Sequence, residues 1–360
     1  MTHPVDERAC TVLRRATVPA EGLCLSVVVP SYNTAPYVRE TLRSLFAQTL
    51  RALEVVVVDD GSQDDSLAVL ASIDDPRLTV VAQANRGLSG ARNSGVRLAR
   101  AACIGFCDAD DIWHPEKAAR HLAVLDATPE VGLTFSYSAY LAADGQPTGQ
   151  FLISRCAAPT ARDLIRRNHI GNGSTVVARA DVFHHAGLFD ETLGSCEDFE
   201  MWVRAAACAP YTLRLLPEAL TGYRVRPGSM STTYDDFILG YSRALERFQR
   251  YVPGFTPREA DRSFAECLRI ASRKAFSNGQ IGLSRKLFLS AVRHAPALPL
   301  RDWRAFGMLA LHLGALPLPR ALQAHLYRGV RGALRHAFQT VPSLHGRSDA
   351  AALGAGGIVP

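Results

Sequence analysis

The chain has no run of eighteen or more apolar residues free of charge or helix breakers. The nearest, Ala305 to Leu318, is too short and holds His312 and Pro317, which argues against a membrane-spanning helix. Met1 to Cys10 mixes acids and bases and leads into no apolar signal-peptide core. No Cys-x-x-Cys pair occurs among the eight cysteines, and histidines do not cluster near them. That argues against structural zinc and a disulfide framework, and points to free thiols in a reducing, cytoplasmic compartment. No Gly-rich phosphate loop follows the first apolar run, where Pro30-Ser31-Tyr32-Asn33 stands instead. A nucleotidyltransferase would want such a loop, so its absence weighs against that activity.

What is present is an ordinary globular composition, 48% hydrophobic and 21% charged, over 360 residues. That length suits a large α/β domain plus an appendage. The net charge of +6 is uneven. Residues 241–360 hold 18 Lys and Arg against 6 Asp and Glu, which leaves the first 240 residues net acidic. The two parts therefore suit different partners.

Residues 1–22 show no periodicity and read as a flexible leader. Then come Leu25–Val29, Leu53–Val58, Leu78–Val81 and Ile104–Cys107, largely apolar, mostly β-branched runs of the kind buried on both faces of a sheet. Helical patterns separate them. In the first, Val38, Leu42, Leu45 and Phe46 form one apolar stripe, with Asn33 or Thr34 available as its cap. Strands alternating with helices predict a mostly parallel sheet flanked by helices, over residues 23–235. Ligands bind such sheets beyond the carboxyl ends of the strands. Three ends are polar: Pro30–Asn33, Asp59–Ser62 and Asp108–Asp111. From about Phe237 the pattern turns helical, so residues 236–340 form a basic C-terminal region, with one helical hairpin expected over 262–296. Residues 341–360 read as a disordered tail.

Asp108, Asp110 and Asp111 resist burial, because like charges raise one another's pKa and each carboxylate loses hydration. Alternate residues of an extended segment share a face, so Asp108 and Asp110 can hold one cation through hard oxygen ligands suited to Mg²⁺ or Mn²⁺. Asp60 at a strand end can accept hydrogen bonds from a base or ribose. Glu197-Asp198 precedes a helix, whose N-terminus favours the carboxylate anion but limits its basicity. Taken alone, each stretch also reads as a solvated turn or a helix cap.

Val27-Val28-Val29-Pro30-Ser31-Tyr32-Asn33, Val57-Val58-Asp59-Asp60-Gly61-Ser62, Gly90-Ala91-Arg92-Asn93-Ser94-Gly95, Cys107-Asp108-Ala109-Asp110-Asp111 and Cys196-Glu197-Asp198-Phe199 occur in that order. Together they resemble family 2 glycosyltransferases, over roughly residues 24–232. The resemblance implies a GT-A, Rossmann-like fold and an inverting transfer from a nucleotide-diphosphate sugar to an acceptor hydroxyl, in surface polysaccharide or glycoconjugate assembly. It implies that Asp60 meets the base or ribose, with the backbone at Pro30 and Tyr32 lining that pocket and Arg92 and Asn93 at its edge. Asp108-x-Asp110 becomes the DxD motif, Asp110 the direct ligand of Mn²⁺ or Mg²⁺ and Asp108 a ribose or second metal contact. Asp111 is left as a helix cap, and Asp198 becomes the general base. Arg224 and Arg226 are placed to clamp the diphosphate, although the family commonly carries His where Arg226 stands.

The implied partners are a nucleotide-sugar donor and a glycan, lipid-linked or other hydroxyl acceptor, with no specific nucleic acid. Residues 303–337, amphipathic and rich in Arg, suggest peripheral contact with an anionic membrane face. The alternative readings are a nucleotidyltransferase and a catalytically inactive protein docking on membrane or nucleic acid.

Overall fold

A computed structural model describes residues 10–226, 234–301 and 303–314. The chain divides near residue 230 into two compact units, an α/β unit and a helical unit. The 341–360 tail and most of the 303–337 segment lie outside the described residues.

In chain order the first unit runs β1 (Cys10–Arg14), β2 (Leu25–Ser31), α1 (Val38–Phe46), β3 (Leu53–Asp59), α2 (Ser66–Ala71), β4 (Leu78–Gln83), α3 (Gly87–Leu98), β5 (Cys103–Phe106) and β6 (Ile112–Trp113). It continues through α4 (Lys117–Ala127), β7 (Val131–Leu141), β8 (Pro147–Leu152), α5 (Ala161–Arg166), a 3₁₀ turn at Gly173–Thr175, β9 (Val176–Arg179), α6 (Ala180–Ala186), α7 (Glu197–Cys208) and β10 (Thr212–Arg224).

These strands form one sheet in the order β1-β4-β3-β2-β5-β9-β7-β10-β6, with β8 paired to β7. β2, β3, β4, β5, β7 and β10 all run the same way, and the others run against them. The mostly parallel sheet flanked by helices is as expected. Within the expected 1–22 leader, however, Cys10–Arg14 forms β1, which pairs antiparallel with β4 as the edge strand of the sheet.

Valine runs make these strands because both faces are covered. Val55 and Val57 point into a core with Val38, Leu42 and Leu45 of α1. Val56 and Val58 point the other way, to Ala91 of α3 and to Val12 of β1. Each buried valine contributes about 1.5–3 kcal/mol. Gly95 lets α3 approach β2 closely, since a Cβ there would lie 2.3 Å from Val28 Cγ1. After β4 the chain crosses to the far side of β2 and lays down β5. This reversal opens a crevice at the carboxyl ends of β2, β3 and β5.

The second unit holds α8 (Tyr234–Tyr251), α9 (Pro257–Ser277), α10 (Ile281–His294), α11 (Leu298–Arg301) and α12 (Trp303–Gly314). Thr256 and Glu259 form a reciprocal capping box at the start of α9, with Pro257 in its first turn. Gly279, at φ 82°, turns the chain into α10. Ala265, Leu268, Ala271 and Ala275 of α9 pack on Leu287 and Ala291 of α10, which is the hairpin expected over 262–296. No described helix is long and apolar enough to cross a membrane.

Candidate active site

The loop after β2 is held by the loop after β3. Asp60 N donates to Ser31 O at 2.8 Å, Asn33 N to Ser62 Oγ at 3.0 Å, and Gln63 N to Asn33 Oδ1 at 2.8 Å. Asn33 sits at φ 52°, a left-handed conformation that asparagine tolerates. Neither Asn33 nor Thr34 caps α1, contrary to expectation. The helix starts three to four residues later, after Tyr37, and has no side-chain cap. Asn33 instead spends its side chain on the β3 loop, and the Thr34 hydroxyl bonds Ser31 Oγ at 2.7 Å.

Asp60 is buried beside that loop. Its Oδ1 accepts from Gln83 Nε2 at 2.7 Å and from Arg86 N at 2.9 Å, which fixes the turn from β4 into α3. Its Oδ2 has no partner among the described residues. Tyr32 stands open to solvent at the rim, 45% exposed.

The carboxylates after β5 are held by arginines. Asp108 Oδ1 accepts from Arg92 Nη2 at 2.9 Å, and its backbone N–H donates to Ser174 Oγ at 2.9 Å. Asp110 Oδ2 accepts from Arg226 Nε at 2.6 Å. Burial, followed by the Asp108 charge, pushes the Asp110 carboxyl up, and Arg226 opposes the rise. Asp111 is not a helix cap. It is fully buried and its Oδ1 accepts from the backbone N–H of Arg224 at 2.9 Å, tying β10 to the β5 loop. Burial and the two neighbouring aspartates raise its pKa well above the ordinary value.

Glu197 and Asp198 open α7, after Cys196 in a left-handed turn at φ 59°. Glu197 is buried and accepts from Arg92 Nη1 at 2.6 Å. Asp198 is half-buried, and its Oδ1 accepts from Phe199 N at 2.6 Å. Its carboxyl is pushed up to about 7 by burial first and Glu197 second, while Arg92 and the Phe199 N–H pull it down. The helix N-terminus was expected to leave it weakly basic. Desolvation beside a second carboxylate outweighs that effect.

Arg92, only 1% exposed, therefore joins the DxD segment to the start of α7. It is not at an open nucleotide edge, because both its bonds go to buried or half-buried carboxylates. Asn93 is likewise turned inward. Its amide exchanges hydrogen bonds with both backbone groups of Phe189 at 2.9 Å and donates to Glu191 at 2.9 Å, so it anchors the loop before α7.

The expected Arg224 and Arg226 clamp splits into two roles. Arg224 is buried, and its guanidinium is shared among Asp110 O, Ala143 O and Glu40 Oε2, at 2.8, 3.1 and 2.7 Å. All three of its nitrogens are thus engaged within the fold. Among the described residues, the Arg226 side chain makes one hydrogen bond, to Asp110, and it is partly exposed. Both guanidiniums lie 5.3 Å from the Tyr37 ring centroid. Tyr37, Glu40 and Ser174 had no signal in the sequence, since each acts on partners far along the chain. Trp202 is core, packed with Phe106 and Phe189.

Asp108 and Asp110 fit a divalent cation as hard oxygen donors from one short segment. Asp108 Oδ2 has no partner among the described residues. No group of three His, Cys, Asp or Glu side chains that could hold a metal ion occurs among those residues. A cation here would complete its shell with water and substrate phosphate, as Mg²⁺ commonly does.

Residues 26–177 match the family model described as glycosyl transferase family 2. The succinoglycan biosynthesis protein ExoO of Rhizobium meliloti is 31% identical over 218 residues, 58% of this chain and 62% of that protein. EpsJ of Bacillus subtilis, an uncharacterized glycosyltransferase, is 45% identical over 89 residues, 24% of this chain and 26% of its own. The chain thus spans between a quarter and three fifths of the length of such curated relatives. Among solved structures, residues 1–349 of S. aureus TarS in complex with UDP-GlcNAc superpose with a TM-score of 0.56 at 21% identity, covering 87% of this chain and 92% of that one. The mannosyltransferase PcManGT of Pyrobaculum calidifontis, in complex with GDP-Man and Mn²⁺, gives a TM-score of 0.54 at 20% identity, with 88% of each chain covered.

Proposed function

We propose that this chain, a family 2 glycosyltransferase with the GT-A fold, moves a sugar from a nucleotide-diphosphate donor to an acceptor hydroxyl with inversion at the anomeric carbon. The observation that carries the reading is the meeting of Asp108 and Glu197, the residue before Asp198, on one buried arginine, Arg92, beyond the carboxyl end of β5. One link holds the side of the site suited to a donor diphosphate and the side suited to an acceptor hydroxyl.

Asp60, with the backbone at Pro30 and Tyr32, takes the nucleoside. Its buried Oδ1 is fixed by Gln83 and Arg86, which leaves Oδ2 to accept from ribose or base. Asp198 accepts the proton of the acceptor hydroxyl as that oxygen attacks, which its raised pKa favours. Arg92 donates to Glu197 and so keeps α7 and Asp198 in position. A divalent cation on Asp110, assisted by Asp108, would neutralise the charge that develops on the departing diphosphate. A single base on the acceptor side suits displacement in one step.

The UDP-GlcNAc and GDP-Man bound to similar folds support a nucleoside-diphosphate sugar as the donor class. The likeness to a succinoglycan biosynthesis protein supports a polysaccharide as the product class. Peripheral membrane contact through residues 303–337 belongs to the same proposal, since lipid-linked acceptors lie at that surface. The test is thermal stabilisation of the purified chain by UDP, GDP and their sugars, with and without Mn²⁺. We expect one nucleotide to raise the melting temperature in the presence of Mn²⁺, and Asp110→Ala to remove most of that gain. Stabilisation by none of them, or an unchanged gain in Asp110→Ala, would sink the reading.

A further inference from the structure

Two arginines follow one another at the end of β10, and they are held very differently. Each nitrogen of the Arg224 guanidinium donates within the fold, to Asp110 O, Ala143 O and Glu40. Arg226 gives its Nε to Asp110 Oδ2, and its two terminal NH₂ groups have no hydrogen-bond partner among the described residues. The pair is short, at 2.6 Å, and both side chains are partly open, 22% and 15% exposed. Tyr37 supports the guanidinium from the side, with its ring centroid 5.3 Å away. Arg226 thus occupies the carboxylate that the proposed function gives to a divalent cation.

We propose that Arg226 is a resident counter-ion of Asp110 which a divalent cation must displace, and that the released guanidinium then serves the donor phosphate. The inference rests on Asp110 being the cation's ligand. A guanidinium and a divalent ion on one carboxylate repel each other, and partial burial of the pair strengthens that repulsion. Both cannot keep full contact with it. Arg226 is suited to leave, since it surrenders one hydrogen bond and presents a planar fork that matches phosphate oxygens. Arg224 is not suited, because moving it would strip Glu40 and two carbonyls of their donors. The site therefore carries its own cation while empty and exchanges it when donor and metal arrive together. Free metal binds weakly as a result, and nucleotide diphosphate raises metal affinity by giving Arg226 somewhere to go.

The experiment titrates Mn²⁺ alone into the full chain and follows the loss of the free-ion electron paramagnetic resonance signal. Arg226→Gln should bind Mn²⁺ on the order of tenfold more tightly than the parent, the worth of one charged hydrogen bond. Arg226→Lys keeps the charge and should stay close to the parent, which separates charge from packing. Asp110→Asn is the control for the underlying assignment. If Asp110→Asn binds Mn²⁺ as well as the parent does, the assignment of Asp110 as ligand fails. If it loses binding while Arg226→Gln matches or falls below the parent, the exchange proposed here is overturned and the assignment stands. Melting curves of each variant without metal establish that it is folded.

Discussion

Replacing Asp198 by Asn should stabilise the protein and disable it together. In the unfolded chain this carboxyl titrates at its ordinary value of 3.8, and in the folded site at about 7. Between those values the folded state holds a proton that the unfolded state has lost. Folding stability therefore falls as pH rises from about 4 to about 7, and stays lower above that. The gap amounts to at most about 4 kcal/mol. Partial solvent access at Asp198 and charge sharing with Glu197 reduce the expected effect to roughly 1–3 kcal/mol. Asparagine keeps an oxygen to accept the Phe199 N–H and removes the charge. Asp198→Asn should thus exceed the parent by roughly 1–3 kcal/mol at pH 8 in urea denaturation, and match it near pH 4. Its transfer rate should fall by about 10²–10⁴, the usual worth of a general base. In the parent, that rate should drop as pH is lowered through about 7, where the base gains its proton. A variant less stable than the parent at pH 8, or one that keeps its rate, refutes the assignment.

Two further substitutions probe the buried charges around the site. Arg92→Met strands Glu197 and Asp108 without their counter-ion, and should cost about 3–5 kcal/mol in denaturant unfolding. Arg92→Lys should recover only part of that, because one ammonium cannot span both carboxylates as the fork does. Lys117 is fully buried, with its Nζ 2.8 Å from Thr221 Oγ1 and 4.9 Å from the Trp113 ring centroid, and burial pushes its pKa down to about 7. The parent should gain stability as pH rises from about 7 towards 10.5, where the unfolded lysine also loses its proton. Lys117→Met should be about 1–3 kcal/mol more stable than the parent at pH 7, since Thr221 and Ser136 keep other hydrogen-bond partners. That advantage should shrink by pH 10. An advantage equal at both pH values would show that the lysine's charge is not its cause.

The strands were legible because nothing local competes with them. Val55 to Val58 can satisfy two cores only as a strand covered on both faces, and the two valine pairs do divide that way. β1 was not legible. In Cys10–Arg14 the apolar side chains of Cys10 and Val12 acquire meaning only beside β4. The missing cap of α1 has the same origin. Asn33 is a good capping residue by type, but the β3 loop thirty residues on supplies a better partner for its side chain.

The site divides along the same line. Its acids could be read because carboxylates at the ends of apolar strands conflict with burial, and that conflict is visible in the chain itself. What resolves the conflict could not be read. Arg92 reaches Glu197 across 105 positions, Arg226 reaches Asp110 across 116, and Asp111 takes its hydrogen bond from a backbone 113 positions away. Such pairs leave no periodic trace, because each arginine in isolation looks like a solvated surface residue. Each acid has a different answer to its burial, and the answer separates the roles. Asp111 is spent on a backbone N–H inside the fold. Asp108 shares a buried arginine with Glu197 and keeps one oxygen open. Among the described residues, the Asp110 side chain is held by one partly exposed arginine, Arg226. Of the three carboxylates its partner is the easiest to exchange, which is why the proposed function gives Asp110 the cation.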